Sequence, residues 1–162
     1  MVQTSFGGPE ACQLAHLPEP VCGPRDVVIR VEACGLNRLD LIQRNGPGVI
    51  PGFSLPHVAG LDMTGVVVEV GRSVASVSVG DRVVADPTQG CGSCARCAVG
   101  DRAYCPQPRI VGGNVDGGLA QYVRVSAEST VRVPDGFALT AAATLPTAWA
   151  TAWHCVHAVA KL

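Results

Sequence analysis

Cys91, Cys94, Cys97 and Cys105 stand together in the stretch CGSCARCAVGDRAYC, residues 91 to 105. Four thiolates at this spacing can close a tetrahedral shell around one zinc ion, which favours soft sulfur ligands. With four sulfurs bound, no coordination position is left for water or substrate, so the predicted ion is structural. An iron–sulfur cluster and unmetallated thiols are the competing readings. Cys105-Pro106 has the look of a ferredoxin ending, but there the last spacing is three residues and here it is seven. Zinc is the reading adopted. Gly92 and Gly100 let the lobe wrap tightly around the ion. Such a site supplies on the order of 10 kcal/mol of folding free energy, enough to fix a glycine-rich lobe.

Other groups are weaker candidates. His154 and His157 lie three apart near the end of the chain and could chelate a metal with His57, although solvated or capping roles explain them more simply. Cys34 and Cys155 read as small buried hydrophobes. The stretch GGNVDGG (112 to 118) is either a backbone anion nest or a loop. A dinucleotide fingerprint is missing: Gly46-Pro47-Gly48 has proline where a third glycine would fall, and Gly90-Cys91-Gly92 runs into the cysteine cluster.

Short strands must carry these groups. Nineteen glycines and twelve prolines punctuate the 162 residues, with valine-rich runs of four to seven residues between them. In VVIRVEA, Val27, Ile29, Val31 and Ala33 share one face. The runs 66 to 70, 82 to 85, 119 to 125 and 130 to 133 continue the series, and Asp116-Gly117 marks a turn before the run at 119. The pattern predicts a compact, mainly β, largely antiparallel barrel or sandwich. From Pro146 the pattern changes to an amphipathic helix, with Thr147, Thr151, His154 and Lys161 on one face and Trp149, Trp153, Val156 and Ala160 on another. So large an apolar face needs a partner: either the helix folds back on the barrel, or it leads into a further domain.

The charge balance narrows the function. A net charge of −1 with 15% charged residues leaves no polybasic surface for nucleic acid. No secretion signal and no run of 18 apolar residues is present, so the expectation is a cytoplasmic protein with no membrane partner.

Taken with the segments FGGPE (6 to 10), VEACGLNRLDLIQRNG (31 to 46), PHVAGLDMTGVVVEVG (56 to 71), VGDRVV (79 to 84), GGLAQYV (117 to 123) and AAATLPTAWATAW (141 to 153), the cysteine lobe resembles the medium-chain dehydrogenase/reductase superfamily. That superfamily holds the zinc alcohol dehydrogenases and the quinone oxidoreductases, and the resemblance is to its N-terminal part. It implies a GroES-like, partly open β-barrel over residues 1–145, bearing the zinc lobe 91–105 and the substrate site. Residues 146–162 would begin the linker helix toward a Rossmann coenzyme domain outside this chain, in cis or in trans. A homo-oligomer is implied for the full-length enzyme.

Zinc-dependent members carry a second, catalytic zinc, whose ligand positions can be compared with this chain. The family pattern Gly-x-Cys-x-x-Asp is Gly35-Leu36-Asn37-Arg38-Leu39-Asp40 here, so the first ligand position holds Asn37. The family's Gly-His-Glu is Gly60-Leu61-Asp62, and the remaining ligand position falls near Thr147. Asn37, Leu61 and Thr147 cannot replace a set of thiolates and imidazole around zinc, so the catalytic metal is expected to be missing. Asn37 with Gly-x-Asp resembles the quinone oxidoreductase and enoyl reductase branches, joined here to another branch's structural zinc lobe.

Without a Lewis acid, hydride exchange with a simple alcohol loses its main transition-state stabilisation. An enone, enoyl thioester or quinone is easier, because its developing charge collects on an oxygen that fixed donors can hold. The expected function is NAD(P)H-dependent reduction of such a small molecule. Asn37 would orient substrate or nicotinamide, Thr147 would add a hydroxyl donor or contact the nicotinamide, Arg38 would meet the coenzyme pyrophosphate, and Asp40 would orient its loop or move a proton. This chain alone should not turn over. The alternatives are a zinc-dependent alcohol dehydrogenase with atypical ligands and a non-catalytic, zinc-stapled binding or assembly module; a zinc-ribbon nucleic-acid module conflicts with the charge.

Overall fold

The computed structural model describes residues 1–46 and 50–162, so Pro47 and Gly48 of the glycine stretch weighed above lie outside the described residues. In chain order the elements are β1 (Val2–Gln3), β2 (Cys12–Gln13), β3 (Asp26–Gly35), α1 (Arg38–Asn45), β4 (Asp62–Val70), β5 (Arg82–Ala85) and β6 (Thr88–Gln89). After them come α2 (Ala95–Ala98), β7 (Arg109–Ile110), β8 (Tyr122–Ser126), β9 (Thr130–Arg132), α3 (Leu139–Ala142) and α4 (Ala150–Trp153).

Period-two alternation puts Val27 and Ile29 of β3 on one face, where they meet Met63 and Val67 of β4, Val83 of β5 and Val125 of β8, all without exposed surface. These residues form the core of a five-stranded sheet of order β8-β3-β4-β5-β9, antiparallel at every step. β1-β2 and β6-β7 are separate two-stranded ribbons. The β3–β4 register shifts between Val28 and Ile29 and again between Val31 and Ala33, and such bulges bend a strand and increase its twist. The edge strands β8 and β9 are joined through Ala127–Ser129 alone, so about 14 Å of chain at most separates the two edges. The sheet must curl almost onto itself, yet β8 and β9 do not pair. This is the partly open barrel expected from the resemblance.

Three of the five sheet strands, β3, β5 and β9, fall close to the valine runs read from the sequence; β4 begins at Asp62 rather than 66, and β8 begins at Tyr122 rather than 119. Its first residues are taken by a loop packing: the amides of Gly117, Gly118 and Leu119 donate to the carbonyls of Val58, Gly60 and Ala59. The amides of Gly112 and Gly113 are also committed, to Val115 and Ile110. The GGNVDGG stretch is therefore a packed loop rather than an anion nest.

The C-terminal segment is anchored only at its root. The Thr64 hydroxyl donates to the Leu139 carbonyl at 3.0 Å, and Ala142 and Ala143 are buried. Two π-helical turns, Leu145–Trp149 and His154–Val159, flank α4, and every residue from Ala148 onward is exposed. Trp149 and Trp153 are 60% and 65% exposed, which decides against a helix folded back on the barrel. Cys155, expected to be a buried hydrophobe, is exposed because it rides on this projecting helix. No helix among the described residues is long and apolar enough to cross a membrane.

Candidate metal centre and active-site face

The cysteine lobe is drawn together by its own backbone. Gly92 and Gly100 take φ values of +76° and +81°, which side chains rarely adopt, and the chain reverses at each. The Cys94 sulfur caps α2 by accepting the Cys97 amide at 3.4 Å, and the Cys105 sulfur accepts the Cys91 amide at 3.3 Å. All four sulfurs lie within 4.8 Å of one another, with Cys91 to Cys97 at 4.0 Å and Cys94 to Cys105 at 3.9 Å. A tetrahedral shell with zinc–sulfur bonds of about 2.3 Å spaces its corners about 3.8 Å apart, so the donor set fits that ion. The amide and hydroxyl of Ser93 bring the Cys91 thiol down to about 6. Cys97 goes up to about 11: the Gly92 amide pulls it down, but burial and the neighbouring sulfurs outweigh that pull. An Arg102–Glu128 ion pair ties the lobe to the turn between β8 and β9.

A second polar group lies where β3, β4 and the C-terminal segment meet. Asn37 precedes α1, and its Nδ2 donates to Oδ2 of Asp62 at 3.0 Å. The Thr147 hydroxyl donates to the other oxygen, Oδ1, at 2.5 Å. Asp62 is 2% exposed and opens β4. The two side chains expected at former ligand positions are therefore joined through a buried carboxylate. Asp62 is the site residue that sequence reasoning passed over; the signal was present in the third position of Gly60-Leu61-Asp62.

Asp40 lies behind this group. Its Oδ2 accepts the Asn37 amide at 2.7 Å and its Oδ1 accepts the Gly60 amide at 3.1 Å, so it clamps the start of α1 to the loop before β4. Burial pushes its carboxyl up from the ordinary value of 3.8, against the pull of those amides. Burial, then Asp40 and Asp62, push the neighbouring Cys34 thiol to about 12, so it is a neutral group that fills space. Arg38 stands exposed at the first position of α1. Thr147 reaches Asp62 because Gly35 lets the backbone after α3 come close: a Cβ on Gly35 would lie 2.6 Å from the Ala143 carbonyl oxygen.

His57 is buried, with Nε2 donating to the Gly112 carbonyl at 3.0 Å, whereas His154 and His157 are exposed on the terminal helix. The structure does not gather the three histidines, and the four cysteines are the one cluster of metal-ligand type among the described residues. A cavity of about 1140 Å³, lined in part by residues 14–21, touches neither Asn37, Asp62 nor Thr147. Within the Asn37–Asp62–Thr147 group Asp62 is buried, and Asn37 and Thr147 are half-buried.

A curled antiparallel sheet with a four-cysteine lobe on one side matches the N-terminal part of the zinc-type medium-chain dehydrogenases/reductases. The chain belongs to the alcohol dehydrogenase GroES-like domain family, matched over residues 23–135. It is 34% identical over 127 residues to an alcohol dehydrogenase of Geobacillus stearothermophilus, a match covering 78% of this chain and 37% of that protein. With an acryloyl-coenzyme A reductase of Sulfurisphaera tokodaii it shares 31% identity over 130 residues, covering 80% of this chain and 38% of the reductase. A solved NAD-dependent alcohol dehydrogenase superimposes with a TM-score of 0.89 at 38% identity, covering 97% of this chain and 46% of that one. The chain spans less than half the length of these relatives.

Proposed function

We propose that this chain is the substrate domain of an NAD(P)H-dependent oxidoreductase that works without a catalytic zinc and reduces an activated C=C bond, in an enone or enoyl thioester, or a quinone. The observation that carries this reading is the Asn37–Asp62–Thr147 group: three former ligand positions offer an amide, a hydroxyl and, at Leu61, no donor at all, with the neighbouring carboxylate holding the first two. The cysteine lobe would hold one structural zinc. Every sheet among the described residues is antiparallel, so no β-α-β cradle for a pyrophosphate is formed. The coenzyme, which supplies the hydride, would be held by a Rossmann domain joined in cis or in trans and seated on the projecting helix, with Arg38 facing its pyrophosphate.

The hydrogen bonds support a division of roles among the side chains. Thr147 has one hydroxyl proton and Asp62 takes it, so toward a ligand Thr147 accepts, as from a nicotinamide carboxamide. Asn37 spends one Nδ2 hydrogen on Asp62 and keeps one to donate to the oxygen where charge collects. Asp62 is a positioning residue that fixes both, and Asp40 positions the loop that presents Asn37.

The relative named as an acryloyl-coenzyme A reductase supports enoyl thioesters as the substrate class. The relatives named as alcohol dehydrogenases keep a second reading in play, a zinc-dependent alcohol dehydrogenase with atypical ligands. Metal content and turnover of the complete enzyme separate the two. One zinc per chain, lost in Cys97→Ser, together with NAD(P)H-dependent reduction of an enoyl thioester or enone, is expected. A second zinc that survives Cys97→Ser, with oxidation of simple alcohols, would establish the alcohol dehydrogenase reading instead.

A further inference from the structure

Between the cysteine lobe and the sheet lies a cavity of about 130 Å³, walled by the Cys91 and Cys97 side of the lobe and by Gln89, Arg25 and Arg109. Gln89 and Arg109 stand opposite each other in the β6–β7 ribbon. Gln89 is 1% exposed; its Oε1 accepts the Ser126 amide at 3.2 Å, while its Nε2 has no partner among the described residues. A buried amide donor left without an acceptor is costly in an ordinary core, so such a group calls for an explanation. Arg25 rests on the bare backbone of the lobe: a Cβ on Gly92 would lie 3.2 Å from its Nη2.

The charges around this cavity sort into pairs and a remainder. Glu128 pairs with Arg102, and Asp26 with Arg124 at 3.6 Å. Arg25 and Arg109 have no acidic partner among the described residues. Four thiolates around a divalent ion carry a net charge of −2, which two unpaired guanidinium groups balance. A free anion would meet the thiolates' own charge on the same wall, which argues against an anion-binding site.

We propose that Arg25, Arg109 and Gln89 form a second ring of donors around the metal centre, so that the lobe holds its zinc firmly only while seated on the β6–β7 ribbon. None of the three touches the ion: they are positioning residues, two by charge and one by a buried, unpartnered N–H on a residue lining the same cavity, whose cysteine wall becomes anionic on metal binding. The inference rests on reading the lobe as a zinc site, and the test keeps the two apart.

The experiment is the rate of zinc release from the zinc-loaded chain to a chromogenic chelator. Loss of such outer partners costs about 10–100-fold in metal affinity, so Arg25→Gln, Arg109→Gln and Gln89→Met should each release zinc about tenfold faster or more. Arg96→Gln, which breaks a pair with Asp101 inside the lobe, should stay near the wild-type rate. Gln89→Glu should release faster than Gln89→Met, an electrostatic ordering that loss of packing would not produce. The Arg25→Gln effect should shrink as salt is raised, because Arg25 is exposed. Wild-type rates in all three variants, with zinc present, would overturn the proposal and leave the zinc reading standing; a wild-type chain that takes up no zinc would overturn that reading itself. Saturable binding of inorganic phosphate to the zinc-loaded chain, lost in Arg25→Gln and Arg109→Gln, would instead make the cavity an anion site.

Discussion

Asp62 is where a single side chain has most leverage. Its two oxygens are the acceptors for Asn37 and Thr147, so Asp62→Ala frees both side chains at once while leaving their chemistry intact. In the complete enzyme kcat should fall about tenfold or more, roughly 1.4 kcal/mol in the barrier, with a smaller change in KM. Thr147→Val should reproduce part of this loss and Thr147→Ser should restore it, because serine keeps the hydroxyl that Asp62 holds. Steady-state kinetics of the three variants check the assignment; equal losses for valine and serine would remove the hydroxyl from the account. The thiols offer a second check at this scale. Burial and two carboxylates hold Cys34 at about 12, leaving almost no thiolate near neutral pH, whereas Cys155 is exposed. Brief alkylation followed by peptide mapping should label Cys155 and spare Cys34. The sequence named Asn37 and Thr147 because their positions matched a motif. It could not show that they share Asp62, since residues 25 and 85 positions apart meet only after the strands pair.

At the scale of elements, the root of the C-terminal segment is the joint on which the site depends. Gly35 at the end of β3 leaves room for the Ala143 carbonyl, and Thr147 follows one turn later. Gly35→Ala would force the two backbones apart by several tenths of an ångström. It should cost about 1–3 kcal/mol of stability by thermal denaturation. In the complete enzyme it should lower kcat by more than that loss of folded protein explains, because Thr147 is carried away from Asp62. The five sheet strands were legible because each carries at least two β-branched residues, and one face of each must be apolar. β1, β2, β6 and β7 have two residues each, too few to show any period, and exist because a neighbouring segment offers its backbone. The terminal helix was legible as helix, but its fate was not: amphipathicity says that a face wants covering and is silent on what covers it.

For the molecule as a whole, the lobe and the barrel are held by different forces. None of the residues of the hydrophobic core lies between 91 and 105, so removal of zinc should melt the lobe and leave the sheet folded. Hydrogen exchange after chelation should show loss of protection confined to the lobe and the β6–β7 ribbon, with β3 and β4 unchanged; exchange throughout β3 and β4 would mean that the metal holds the whole fold. Acid has a separate point of attack in His57. Burial lowers its pKa from the ordinary 6.5, partly offset by its bond to Gly112 and by Asp116, so the unfolded chain takes up a proton before the folded one does. Its contribution to stability is complete above pH 6.5 and is lost as pH falls through the lower folded value. His57→Gln should flatten that part of the pH–stability curve in denaturant titrations.

The two tryptophans of the chain both stand on the projecting helix, in water, and neither belongs to the core. Indole emission from this chain therefore starts at the red, solvent-exposed end of its range and changes little when the barrel unfolds. A blue shift would report the arrival of a partner on that helix, so the chain carries a built-in optical gauge of assembly that is nearly blind to folding.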